Sequence, residues 1–198
     1  MSKKEDKNNQ IIAAATKEFL VKGIDAASMH NIAEMAEVSK RTLYKYYSSK
    51  EELYSALIDE ILVSIEDMYS FSYESEINPQ SQIEKVVDAK INQILNDSFI
   101  QINKIVIGEL LKGRTPNAEQ MARLNKSEST FVEWIEHGQK EGKIKKEIEA
   151  HLIAQQFHSI LKGQIYWPVL MCLTAKEDID LEKVRKITID FFINSFCL

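Results

Sequence analysis

A chain of 198 residues can bury a substantial core as one large or two small domains. Its 44% hydrophobic and 28% charged residues exclude a disordered or fibrous chain. The net charge of -5 is unevenly spread: residues 1–50 hold nine basic and six acidic side chains (net +3), and the remainder 16 and 24 (net -8). A basic end on an acidic body is the asymmetry of a nucleic-acid-binding head.

Residues 1–8 are expected to form a frayed basic arm. A helix over about 9–22 follows, with Ile11, Ala15 and Phe19 on one face and Gly23 as its stop. The next stretch, SMHNIAEMAEVSKRTLYKYYSSKEEL, organises the chain. Ser28 can cap a short helix that buries Ile32 and Ala33, with Met29 and Ala36 flanking them. Ser39 can cap a second helix anchored by Leu43. Only Ala36-Glu37-Val38 is left for the turn, so the two helices form a helix-turn-helix whose second helix can enter a DNA major groove. Small Ala33 lets the helices cross closely, and Val38 plugs the turn. From Val38 to Lys50 there are four basic residues and no acid. The outward set Lys40, Arg41, Thr42, Tyr44, Lys45 and Tyr46 suits phosphates and base edges. Lys40 and Arg41 are the candidates for base reading. Lys50, at the next helix start, is the candidate for a phosphate, and Leu43 and Tyr47 are expected to pack.

This stretch resembles the DNA-binding signature of TetR-type transcriptional regulators. The resemblance rests on Ile32-Ala33, Ala36, Val38-Ser39, Thr42-Leu43-Tyr44, Tyr46-Tyr47 and Ser49-Lys50-Glu51, and extends upstream to Ile11-Ile12, Ala15, Phe19 and Gly23. It covers about a quarter of the chain. Glu37 and Arg41 stand where that family usually has glycine. A left-handed backbone at Glu37 would cost on the order of 1 kcal/mol.

Ser49-Lys50-Glu51-Glu52 reads as a capping box for a fourth helix that keeps Leu53, Leu57, Ile61 and Ile65 in step to about Met68. At ~27 Å it is long enough to carry a displacement between domains. Asn78-Pro79 starts a fifth helix over about 80–96, and a sixth runs over about 99–112. Ile105-Val106-Ile107 has strand propensity, but the chain offers no partner strand and helix is expected. Thr115 is the expected cap for a seventh helix over about 117–141. An eighth runs over about 149–172, kinked or ended by Pro168, and a ninth over about 180–196. The fold expected is all-α: a helix-turn-helix domain at 1–50, joined by helix four to a ligand-binding and dimerisation domain at 51–198.

Enzymatic and metal readings fail on spacing. The residues three before His30, His137, His151 and His158 are Ala27, Trp134, Ile148 and Gln155, so no Glu-x-x-His pair exists for a di-iron bundle. The six glycines never fall at the offsets of phosphate or dinucleotide loops, and there is no nucleophile elbow. Cys172 and Cys197 fit no zinc pattern and are expected to be small buried residues. No cofactor or metal is expected. No apolar run approaches the ~20 residues of a membrane span. The polar start MSKKEDKNNQ lacks the core of a signal peptide, so a cytoplasmic protein is expected.

Two apolar constellations remain. Phe99, Met121, Trp134, Tyr166 and Trp167, with polar Asn103, Glu109 and His137, can fill a plain core or line an effector pocket. The family resemblance implies the pocket. Phe157, Ile160, Leu161 and Gln164 with Val184, Thr188, Phe191 and Phe192 can be central in the monomer or pair with their copies as a four-helix bundle. The reading is a homodimeric regulator, a repressor released from its operator DNA by a small molecule. The rival is a helical small-molecule-binding or adaptor protein that no longer binds DNA.

Overall fold

The computed structural model describes residues 3–198. The described residues are helical without a named strand; the one isolated bridge pairs Ile144 with Cys197. In order, α1 (Lys3–Ala26), α2 (Met29–Met35), α3 (Lys40–Tyr46), α4 (Lys50–Met68), α5 (Pro79–Ile94), α6 (Asp97–Leu111) and α7 (Ala118–Lys140) lead into α8 (Ala150–Leu161). A π turn (Lys162–Tyr166), the short α9 (Trp167–Leu170), a 3-10 turn (Lys176–Asp178) and α10 (Leu181–Phe196) complete the chain.

Most boundaries follow from local capping. Asn78 accepts from the Ser81 N–H at 2.8 Å with Pro79 at the first helical position, Asn96 accepts from the Phe99 N–H at 3.0 Å, and Asp180 from the Lys183 N–H at 3.0 Å. Ser49 accepts from the Glu52 N–H at 3.1 Å, while the Glu52 carboxylate reaches back to the Ser48 N–H at 2.6 Å. Ile105, Val106 and Ile107 are helical, within α6.

Four expectations are corrected. The frayed arm is helical from Lys3; Met1 and Ser2 lie outside the described residues. Asn8 in its first turns takes a hydrogen bond from the Tyr47 hydroxyl at 2.7 Å, and Glu5 and Asp6 lie where the helix dipole favours acids. The cap of α7 is Asn117 instead of Thr115. Asn117 and Gln120 exchange backbone-to-side-chain bonds of 2.9 and 3.1 Å, a reciprocal box Thr115 is too far upstream to make. The break that Pro168 makes in the eighth helix lies a turn ahead of the proline, where the regular α8 ends at Leu161, and not at its own position. Pro168 has no N–H for the Gln164 carbonyl, and the turn before it widens so that the Trp167 N–H bonds Lys162 O, five residues back. Cys172 is exposed at φ 56 and Cys197 half-buried; neither forms a disulfide.

The chain divides into two compact units. Unit 1 is Met1–Val63 with Gln101–Gln120, and unit 2 is Ser64–Ile100 with Met121–Leu198. Unit 1 thus extends past residue 50 and takes in a later segment. Its core is built from Ile11, Ala15, Phe19, Ile32, Leu43, Leu53 and Leu57, all buried. Unit 2 has its own core around Ile83, Val87, Phe131, Ile135, Ile153, Phe157 and Phe192. Gly138 belongs to that packing: a Cβ there would sit 2.5 Å from an Ile144 side-chain carbon.

Candidate nucleic-acid interface and effector region

In unit 1 the short helices are placed by their caps. Ser28 Oγ accepts from the N–H groups of His30 and Asn31 at 3.2 and 3.5 Å, and Ser39 Oγ from that of Thr42 at 3.1 Å. The turn closes with the Glu37 N–H on Glu34 O at 3.1 Å and the Val38 N–H on Ala33 O at 3.0 Å. Glu37 takes φ 53, the left-handed conformation a glycine would adopt there. The turn forms, and Glu37 carries the strain.

A buried carboxylate locks α1 to α2. Glu18 Oε1 accepts from Lys22 Nζ at 2.9 Å, the Ser28 N–H at 3.1 Å and Asn31 Nδ2 at 3.2 Å. Burial pushes its pKa up, but the three donors outweigh burial and hold it below the usual carboxylate value.

With Leu43 fully buried beneath, α3 presents Lys40, Arg41, Tyr44 and Lys45 to solvent. None of these four is in an ion pair among the described residues. Thr42 and Tyr46 are half-buried, and the Thr42 hydroxyl is shared with Ser39 Oγ at 2.8 Å. Lys50 turns inward: Nζ donates to Asp25 O at 2.6 Å, near the end of α1. Asp25 also pairs with Arg114, whose other nitrogen donates to Glu109 at 2.9 Å, and Lys112 holds the second Glu109 oxygen at 2.7 Å. Asp25 and Glu109 thus tie residues 109–114 to the end of α1 and the start of α4. Gln120 adds a second tie, donating to Ser55 O at 3.1 Å and Ser55 Oγ at 3.0 Å.

The residues expected around an effector divide between the units. Asn103 and Glu109 are buried in unit 1, with Glu109 committed to Arg114 and Lys112. Phe99, Met121, Trp134, His137, Tyr166 and Trp167 belong to unit 2. Trp134 fills its core, stacked on Phe131 at 5.7 Å and donating to Gln82 at 3.1 Å. His137 is exposed and stacks on Tyr73; Met121 and Trp167 are each 39% exposed. Of the residues expected to meet a second chain, Phe157, Leu161, Val184, Thr188 and Phe192 are buried in their own unit, so they pack the monomer. Phe191 is exposed, and Ile160 and Gln164 are half-buried.

Sequence reasoning missed the most unusual group in unit 2. Lys90 on α5 is buried and donates from Nζ to the Tyr69 hydroxyl at 2.9 Å, and that hydroxyl lies 3.0 Å from His158 Nε2 on α8. The Lys90 ammonium also sits 4.4 Å from the Tyr69 ring centre. Burial lowers the Lys90 pKa to about 7, with the nearby Lys162 charge adding to the effect. Burial, then the charges of Lys90 and Lys162, push His158 down to about 2. Lys90 falls in step with Ile83, Val86, Val87, Ile91 and Ile94 on the apolar face of α5, the one signal that could have found it.

The model of bacterial regulatory proteins of the tetR family matches residues 11–57, and that of the C-terminal domain of AefR-like transcriptional repressors matches residues 81–196. The chain belongs to the TetR family. Among relatives, it is similar to the transcriptional activator FasR of Mycolicibacterium smegmatis, 30% identical over 95 residues, which are 48% of this chain and 43% of FasR. It is also similar to the transcriptional regulator TtgR of Pseudomonas putida, 25% identical over 124 residues, 62% of this chain and 57% of TtgR. The chain thus aligns with about half the length of these two relatives. A TetR family transcriptional regulator from Pseudomonas syringae pv. tomato matches in structure over 100% of both chains, with a TM-score of 0.75 at 25% identity. The first TetR match begins at Ile11 in α1 and ends at Leu57 in α4, so it spans both short helices and the Glu37 turn. No helix among the described residues is long and apolar enough to cross a membrane.

Proposed function

We propose that this TetR-family chain is a cytoplasmic, homodimeric repressor that binds operator DNA through α3 and is released by a small molecule bound in unit 2. The observation that carries the reading is the exposed face of α3, where Lys40, Arg41, Tyr44 and Lys45 face solvent with no neighbouring acid in sequence. Lys40 and Arg41 read base edges, Tyr44 and Lys45 add base and phosphate contacts, and Thr42 and Tyr46 steady the helix from its flanks. Lys50 spends one ammonium N–H on Asp25 O and has two left for a phosphate.

The dimer uses the solvent face of the last helices. Leu152 on α8 and Ile187 and Phe191 on α10 are 40%, 42% and 36% exposed, and half-buried Ile160 and Gln164 border them. A two-fold pair places two α3 helices about 34 Å apart, one turn of DNA. Repression is favoured by the match to AefR-like repressors; FasR, named an activator, is the counter-example.

The test is titration of the chain into duplex from its own upstream region, with fluorescence anisotropy at several salt concentrations. Two chains per duplex, a steep salt dependence and preference over scrambled duplex support the reading. Indifference to duplex DNA at modest ionic strength would favour an adaptor or small-molecule-binding protein without operator recognition.

A further inference from the structure

The Lys90–Tyr69–His158 cluster has more donors than acceptors. The Lys90 ammonium carries three N–H groups and spends one on the Tyr69 oxygen. If that hydroxyl, which accepts from Lys90, gives its own proton to His158 Nε2 3.0 Å away, the imidazole proton falls on Nδ1. Nδ1 is buried and has no hydrogen-bond partner among the described residues. Two ammonium N–H groups and one imidazole N–H are therefore left over, inside an apolar core.

The acids nearby do not answer them. Asp88, two residues from Lys90, is held by Arg185 at 2.6 and 3.0 Å, and Glu66 by Arg123 at 2.8 Å. Glu128 on α7 is exposed and makes no ion pair with Lys90, its charge offsetting only part of the effect of burial, and Lys162 on the π turn adds a second positive charge. The surroundings are aromatic: Phe131 and Phe157 lie 5.3 and 5.5 Å from the His158 ring, and Phe71 lies 6.1 Å from that of Tyr69. The helix carrying His158 passes into the π turn four residues later, a distortion that favours functional sites.

We propose that Lys90, Tyr69 and His158 form the head-group site for a monocarboxylate with an apolar body, the effector of this regulator. The carboxylate supplies the missing acceptors: one oxygen takes the Lys90 ammonium and the other the His158 Nδ1–H. The charge it brings is the counterion that Lys90 lacks, and the hydrocarbon follows the Phe71, Phe131 and Phe157 side of the cluster. This names the chemical class of the effector and so rests on the ligand-responsive reading, but binding itself is measured without DNA.

Isothermal titration calorimetry on the full chain, with decanoate and decan-1-ol as probes, tests the site. Decanoate binds one per chain and at least about tenfold more tightly than the alcohol, because charge-assisted bonds in a dry site exceed neutral ones. Lys90→Met, which keeps the length and apolar stem of the side chain, removes that preference. Tyr69→Phe weakens decanoate by a smaller factor, and each variant is checked for a native circular dichroism spectrum and native duplex binding. Equal binding of the two probes, absence of decanoate binding, or a Lys90→Met variant that binds decanoate like the parent overturns the proposal. Those outcomes leave DNA recognition standing; loss of duplex binding in the parent chain instead removes the regulator reading and leaves the carboxylate site intact.

Discussion

Glu18 in unit 1 and Lys90 in unit 2 are both buried charges, and their surroundings are opposite. Glu18 accepts from three donors on α1, at the cap and on α2. Lys90 reaches a single phenol oxygen. A satisfied buried charge fixes geometry, and here it fixes how α1 meets α2. An unsatisfied one costs stability, and a protein retains it where something else is gained. The contrast separates a joint from a site.

Removing Glu18 has the largest expected effect: Glu18→Ala orphans the Ser28 N–H and the Asn31 amide and should cost about 2–3 kcal/mol in urea unfolding. Its carboxyl pKa is held below the usual value of 4.5, so its contribution is full above that pH and is lost as pH falls through the lower folded value. In the Ala variant the acid arm of the stability–pH curve flattens accordingly. A variant as stable as the parent would mean that α1 and α2 are held by apolar contacts alone.

Lys90→Met should have the opposite sign, raising stability by about 1–3 kcal/mol at neutral pH. The folded pKa of about 7 lies below the usual 10.5, so the unfolded chain binds the extra proton between those values and the parent gains stability as pH rises through them. The advantage of the variant therefore shrinks toward pH 10.5. If it is pH-independent over that range, Lys90 keeps its proton in the fold as readily as in the unfolded chain, and its charge is answered by a partner.

Smaller effects sharpen the picture of the head. Glu37→Gly relieves φ 53 and should gain about 1 kcal/mol in thermal unfolding without altering duplex affinity. Lys50→Ala removes the bond to Asp25 O and any phosphate contact together, weakening all duplexes alike and lowering the salt slope by at most about one. A change confined to the preferred duplex would place Lys50 at a base.

What the sequence made legible follows the range of the interactions. Ser28, Ser39 and Ser49 act on residues two or three further on, so the short helices and their turn could be read locally. Asn117 outcompeted Thr115 for the same reason, through a reciprocal partner, Gln120, three residues away. The long-range choices were hidden. Phe157 and Phe192 are as apolar as any interface residue, and only packing consigns them to the core at 5.7 Å from one another. Glu109 looks like a pocket acid until Arg114 and Lys112 fold back on it. Lys90 meets Tyr69 across 21 positions and His158 meets Tyr69 across 89, separations at which periodicity carries no information about partners. The head was readable because its joints are local; the Lys90 cluster was not, because its polar groups come from α5, α8 and the residue just after α4.

The central claim is that the cationic face of α3 recognises duplex DNA as a pair. It is tested most directly by anisotropy of a duplex of about 30 base pairs from the chain's own upstream region, comparing the parent with Lys40→Ala and Arg41→Ala. Two chains per duplex and a loss of about 1–3 kcal/mol of sequence preference in at least one variant, with the fold intact, are expected. Parent and variants binding native and scrambled duplex with one shared affinity would contradict the claim.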